Sequence, residues 1–440
     1  MAKISSRRKR GGPVARALYS CWLDECGQTA RTLLRLIIAL SFPCMLPLSS
    51  ANVMNLTWDE LPPLPPSAGQ AKQPGVAGPF AGVHGDALIV AGGANFPDKM
   101  PWEGGAKVWW DDIWVLEKLP DGASRWVADK TFRLPRALGY GVSVSVPEGV
   151  ICAGGSDAER CYADVYLLSW DAQAREIRRT SLPPMPEPLA FMAGALVGHT
   201  LFVAGGQHVM KGAAPSSACW SLDWSKRDRP AEFKWVVQPT WPGPARIVPV
   251  AAAQRAATGE AFFLFSGRLP QPGRAAEILT DAYAFDPRAR TWRTLPNING
   301  GAGLSVMAGT AVPVGDDEIL LFGGDRGELF LELEAHDLAV ESLRRRLAEA
   351  PANDRAPLER EIAGQLTAKK AIYDTHPGFA REVLAYDTRR DAWRVVTRSP
   401  LAPQVTTFAV KWGDAVVIPS GEIRPGVRTP AVVRVKPVTQ

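Results

Sequence analysis

Histidine is scarce in these 440 residues, with five in all, and no Cys/His spacing suggests a zinc site. Cysteine is little more common: Cys21, Cys26 and Cys44 fall near the N-terminus, which leaves Cys152, Cys161 and Cys219 for the rest. A disulfide-stapled scaffold is excluded, since three cysteines allow one internal bridge at most. Cys152 and Cys161 flank a tight turn, where they either face each other across neighbouring strands or stay free and buried. Long apolar runs are missing too. The best candidate, LIIALSFPCMLPL at 36–48, is short of the ~20 residues of a spanning helix and is broken by Pro43 and Pro47. A basic surface is the last absence. The chain carries +5, but residues 1–35 hold eight Lys/Arg against Asp24 and Glu25, a local +6 that leaves −1 for everything after them. Phosphate recognition needs Lys and Arg gathered on the folded surface. None gather beyond residue 35, so no nucleic-acid partner is expected.

What is present begins with that leader. Basic residues, the apolar run at 36–48 and then SSA at 49–51 follow the order of a secretory signal, with cleavage after Ala51. This reading assigns 1–51 to a leader and 52–440 to the body, and predicts a periplasmic or secreted protein. A membrane anchor or a basic tail is the competing reading. In the body, 15 Trp and 15 Phe supply material for a large core.

An internal repeat organises that body. Apolar strands ending in small residues recur as ALIVAGG (87–93), VICAGG (150–155), LFVAGG (201–206), FLFSG (263–267), ILLFGG (319–324) and AVVIPSG (415–421). Most are preceded by a Gly/Ala/Val-rich strand and followed by a third, such as DDIWVLE (111–117) or DAYAFD (281–286). Trp126, Trp235, Trp292 and Trp393 mark a fourth. Sheets this small cannot bury both faces alone. Six four-stranded units stacked radially can, which predicts an all-β, six-bladed β-propeller. WDELP (58–62) matches the fourth-strand segment WRTLP (292–296) but has no strands before it, while the last repeat stops after its third strand. The N-terminal segment should therefore complete blade six and remove the open edges. The recurring tryptophans read as packing between blades.

One segment breaks the pattern. Residues 329–350 and 356–372 are rich in helix formers with apolar residues three and four apart. They predict two amphipathic helices (329–372) inserted between the second and third strands of blade five, as a cap over one mouth of the ring, as a partner-binding surface or as a plain solvated excursion.

The segment GEIRPGVRTPAV (421–432) resembles the Gly-Glu-x-x-Pro-Gly-x-Arg-Thr motif of the kelch-repeat sialic acid mutarotases, the N-acetylneuraminate epimerases, in their cyclically permuted branch. VAGPFAGV (76–83), AGGANF (91–96), RALGYGVS (136–143) and GPAR (243–246) are similar as well, and the likeness spans roughly 55–436. Two departures are Pro430, where the family usually has an acidic residue, and Pro419-Ser420 before the glycine. The resemblance implies a kelch-type propeller that interconverts the anomers of an acidic sugar without cofactor or metal.

Mutarotation needs a base for the anomeric hydroxyl and an acid for the ring oxygen. Glu422 is the candidate base. Arg428 offers a planar fork for a sugar carboxylate. Arg136 and Arg246, preceding the innermost strands of blades two and four, are candidate substrate-binding residues with Tyr140, Asn95 and Phe96; Asp325 and Arg326 are further candidates. The histidines do not form the copper set of a galactose-oxidase-type propeller. A non-enzymatic kelch module binding a glycan or protein is the alternative class, and monomer and homodimer both remain open.

Overall fold

Short strands of alternating or wholly apolar residues pair here into six antiparallel sheets. The structure, a computed structural model, describes residues 54–438 apart from 68, 211, 213 and 302. The leader (1–51) and its cleavage site lie outside the described residues. Blade one comprises Phe80–His84, Ala87–Ala91, Asp112–Lys118 and Ser124–Trp126, with Phe132–Arg133 added to its third strand. Blade two holds Val142–Val146, Gly149–Ala153, Val165–Asp171 and Glu176–Leu182; blade three holds Ala190–Val197, Thr200–Gln207, Cys219–Asp223 and Val236–Val237. Blade four contains Val250–Ala256, Gly259–Gln271, Arg274–Asp286 and Thr291–Thr294; blade five contains Thr310–Val314, Glu318–Phe322, Glu382–Asp387 and Ala392–Arg398. Blade six joins Val410–Trp412, Ala415–Pro419 and Val432–Val438 to the N-terminal strand Asn55–Leu61. Trp58 lies opposite Val435 in that last antiparallel pairing. The two ends of the described chain thus close the ring.

The core lies between blades. Ile89 and Val115 of blade one meet Val150, Cys152 and Tyr166 of blade two, and Phe263 and Phe265 of blade four meet Ile319, Leu321 and Tyr386 of blade five. This explains why second strands such as Ala87–Ala91 are buried at every residue while the outermost Glu176–Leu182 is mostly exposed. The marker tryptophans clasp adjacent blades. The indole N–H of Trp126 donates to the Pro62 carbonyl (2.9 Å), Trp235 to Pro183 (2.9 Å), Trp292 to Pro239 (2.7 Å) and Trp393 to Pro296 (3.1 Å). Cys152, Cys161 and Cys219 are free and buried, so the open question of a 152–161 bridge resolves to thiols.

A second ring sits at the start of the innermost strands. Gly78, Tyr140, Phe191, Val248, Ala308 and Thr406, one per blade, all have left-handed φ between 47° and 66°. Each amide donates to the carbonyl of its counterpart in the preceding blade, at 2.6–2.9 Å, and Gly78 closes the circle on Thr406. Five of the six are not glycine, so positive φ is strained at each. The closed hydrogen-bond circle holds them there. A cavity of about 300 Å³ runs from this ring along the innermost strands, lined by small apolar residues such as Ala195, Ala253 and Ala311.

The helices span Glu328–Glu349 and Ala352–Thr375, between the second and third strands of blade five. The second starts earlier than its sequence pattern suggests, because the chain reverses within Ala350 and Pro351, both extended, and turns helical at once.

Candidate active site

Immediately after each blade's glycine turn, one residue bridges back to the residue preceding the hydrogen-bonded ring. These six positions are Ala94, Ser156, Gln207, Arg268, Asp325 and Glu422, bridging to Ala77, Gly139, Ala190, Ile247, Met307 and Val405. The turns demand left-handed φ at both preceding residues, and glycine supplies it in four blades. Blades four and six use serine instead. Ser420 (φ 55°) is buried, and its hydroxyl accepts the Val76 amide at 2.8 Å. Ser266 does the same for Val306 at 3.0 Å. Blades one to three thus wall this mouth with neutral residues, and blades four to six with Arg268, Asp325 and Glu422.

Glu422 and Arg428 face each other directly. Glu422–Arg424 and Val427–Arg428 form a small hairpin in which Glu422 pairs with Arg428 across the strands. Pro425 and Gly426 occupy the centre of the turn, with Gly426 at φ 81°, which is the residue pattern of a type II turn. Gly426 is also required by close approach, since a Cβ there would lie 2.8 Å from Pro101 and 3.0 Å from Trp102. Glu422 Oε1 accepts the Gly426 amide (2.6 Å) and stands 3.3 Å from Arg428 Nη1. Arg428 is almost fully enclosed, with 5% of its side chain exposed, and its guanidinium lies 4.8 Å from the Phe96 ring centre. Burial works against its charge, but Glu422 and the Tyr140 phenol outweigh it and hold its pKa above the ordinary arginine value.

The mouth has donors without acceptors. Arg428 Nε, Arg268 Nε, Trp109 Nε1 and the Ser156 hydroxyl are buried and lack hydrogen-bond partners among the described residues, and Arg428 Nη1 has the ion pair with Glu422 but no hydrogen bond. Such groups are costly to leave unpaired, so they indicate a place for a polar ligand. Lys107 adds a cation, its ammonium 4.3 Å from the Tyr140 ring centre and 4.9 Å from that of Trp109. Tyr140 itself stacks on Phe191 at 4.6 Å.

The helices cover this region from two sides. Phe330 of the first helix lies 4.2 Å from the Arg268 guanidinium, and Glu334 accepts the Ala276 amide of blade four at 2.6 Å. Tyr373 of the second helix stacks on Trp102 at 4.6 Å. Burial pulls the Arg268 pKa below the usual arginine value, against the attraction of Glu334, Asp325 and Glu422. Asp325 moves the other way: burial raises its pKa, opposed by the Gly327 amide and Arg268 and reinforced by Glu422 and Glu328. His376 is held below the ordinary histidine value by burial and by Arg424, against Glu422.

Of the residues singled out in the sequence, Glu422, Arg428, Tyr140 and Phe96 come together here. Arg246, Arg136, Asn95 and Arg326 are each engaged with other groups of the protein. Arg246 is wholly buried, bidentate to Asp281 (2.7 and 2.8 Å) and bonded to the Ser266 carbonyl (2.9 Å), so its fork is already occupied. Arg136 lies on the Tyr162 ring and pairs with Asp164 at 3.2 Å. Asn95 is buried with both amide atoms used: it donates to the Gly75 carbonyl and accepts from the Trp110 indole, each at 2.8 Å. Gly75, which it holds, has no room for a side chain, because a Cβ there would collide with the Thr429 backbone beside Arg428. Arg326 pairs with Glu382 at 2.7 Å. Sequence reading passed over Arg268, Lys107 and Phe330, although Arg268 was within reach: it follows its blade's small-residue turn as Glu422 does.

A family model described as N-acetylneuraminate epimerase matches residues 48–177 and 182–439. The chain belongs to the N-acetylneuraminate epimerase family. It is 38% identical over 130 residues to the N-acetylneuraminate epimerase of Brucella melitensis biotype 1, covering 27% of this chain and 32% of that protein. To the enzyme of the same name from Haemophilus influenzae strain PittEE it is 27% identical over 251 residues, 56% of this chain and 57% of the other. The alignments thus span from a third to under three fifths of these relatives' length. The solved structure of YjhT matches with a TM-score of 0.52 at 11% identity, covering 84% of this chain and 95% of that one, a likeness of fold.

Proposed function

We propose that this protein interconverts the α- and β-anomers of a sialic acid, N-acetylneuraminate, by general acid/base catalysis. The observation that carries the reading is the Glu422–Arg428 cross-strand pair, in which a carboxylate adjoins a buried guanidinium whose Nε has no hydrogen-bond partner. Arg428 binds the sugar carboxylate, and Lys107 adds positive charge on the same side. Glu422 takes the proton from the anomeric hydroxyl. The bond from the anomeric carbon to the ring oxygen opens, giving the keto acid, and rotation about the adjoining C–C bond lets the ring close on the other face. Tyr140 and Phe96 fix the guanidinium from the sides.

Exchange NMR of the anomers, compared with the spontaneous rate, tests the reading. Arg428→Lys keeps the charge but loses the planar fork, so KM for the acidic sugar is expected to rise at least about tenfold, a loss of ~1.4 kcal/mol in binding, with a smaller fall in kcat. Acceleration of neutral hexoses with no effect on sialic acids removes the carboxylate role of Arg428. A protein that binds a glycan or protein but accelerates no exchange is a binding module instead.

We further propose that residues 1–51 direct export and that the protein works in the periplasm or outside the cell. The basic, apolar and small-residue order of that segment supports this. N-terminal sequencing of protein from the native host should begin near Asn52; intact Met1 protein in the cytosol overturns it.

A further inference from the structure

Anomer exchange needs two proton-handling groups, and Glu422 supplies one. The propeller's own repeat presents a second. Asp325 follows Gly323-Gly324 in blade five as Glu422 follows Ser420-Gly421 in blade six, and the two bridge to equivalent residues, Met307 and Val405. Neighbouring blades therefore carry a carboxyl group at the same position of the repeat, and Glu422 is felt electrostatically at Asp325. We propose that Asp325 is the second catalytic carboxyl, the group that gives its proton to the ring oxygen. The inference rests on the mutarotase reading above.

The surroundings of the two acids differ in the sense the roles require. Glu422 accepts the Gly426 amide and is paired with Arg428, so two donors aim its carboxyl group. Asp325 is faced by Arg268 from blade four, by Glu422 from blade six and by Glu328 from the first helix, and burial favours its neutral form. Its Oδ1 accepts the Gly327 amide at 2.9 Å, which still leaves one oxygen to carry a proton. Arg326, its chain neighbour, is engaged with Glu382, and Glu334 reaches Arg268 from the far side. A buried carboxyl whose neutral form is favoured is the one able to give a proton, which leaves the base's work to the other.

The step balances without a co-reactant. Glu422 removes the anomeric O–H proton, and that oxygen becomes the carbonyl. The bond from the anomeric carbon to the ring oxygen breaks with its electron pair on the ring oxygen, which takes the Asp325 proton. Reclosure on the other face reverses each transfer: Asp325 recovers its proton from the chain hydroxyl, and Glu422 returns one to the carbonyl oxygen.

Asp325→Asn decides the matter. The amide oxygen still accepts the Gly327 amide, so a purely structural role at the start of the helix survives the change, whereas proton transfer does not. In exchange NMR over a pH series, Asp325→Asn should lower kcat about 10²–10⁴-fold, with KM within threefold. The fall in wild-type rate at high pH, where Asp325 is ionised, should vanish from the residual activity. If the amide variant fails to fold, Asp325→Ser offers a hydroxyl acceptor to the same amide and carries the same expectation. An active wild type with an unaltered kcat and pH profile in the variant would falsify the assignment while leaving the mutarotase reading intact. A wild type that accelerates no exchange removes that reading, and this inference with it.

Discussion

Glu422→Gln lowers the rate of anomer exchange by about 10²–10⁴-fold, the usual contribution of a positioned general base, and leaves the propeller folded. The side chain keeps its shape, and its amide oxygen still accepts the Gly426 amide that shapes the hairpin turn. What disappears is the proton acceptor and the negative charge 3.3 Å from Arg428. With that charge gone, Arg428 has lost its competitor for an anionic ligand, so KM for the acidic sugar should stay level or fall. Exchange NMR for the rate and titration of the sugar for affinity separate the two effects. A variant as fast as the wild type removes Glu422 as the base, whatever its KM.

Arg246→Met has an effect of similar size on a different quantity. The side chain is buried, doubly bonded to Asp281, and lies against Trp241 and Tyr283. Removing the guanidinium leaves Asp281 with the Tyr283 hydroxyl alone and the Ser266 carbonyl without its side-chain donor. Breaking such a buried pair from one side costs roughly 3–5 kcal/mol. Urea unfolding should show the loss, with catalysis of the still-folded fraction at low temperature unchanged in KM. A stable variant with a raised KM would return Arg246 to the substrate.

Ring closure was legible in the sequence because the repeat is written along the chain. Strand periodicity and the matched WDELP and WRTLP segments carry the six blades and the pairing of Trp58 with Val435, since chain ends lacking complementary strands can complete only one sheet. Glu422 and Arg428 were singled out through the likeness of GEIRPGVRT to the family motif, whereas their opposition across a hairpin turned by Pro425-Gly426 came from the structure. The arginines show the limit. Arg136, Arg246 and Arg428 look alike as letters, and sequence order says nothing of which has a partner.

Tertiary structure decided that. Asp281 lies thirty-five residues beyond Arg246 and Asp164 twenty-eight beyond Arg136, and only strand pairing within each blade brings those carboxylates to them. Arg268 sits among Glu334, Asp325 and Glu422, drawn from one helix and two blades, a convergence that arises only once the ring has closed. By itself the sequence determined the repeat and the closure, because short-range sterics and apolar patterning act along the chain. Which charges are neutralised inside the scaffold, and which are left unpaired to meet a ligand, was decided by the packing of blades far apart in sequence, because burial and electrostatics act through space.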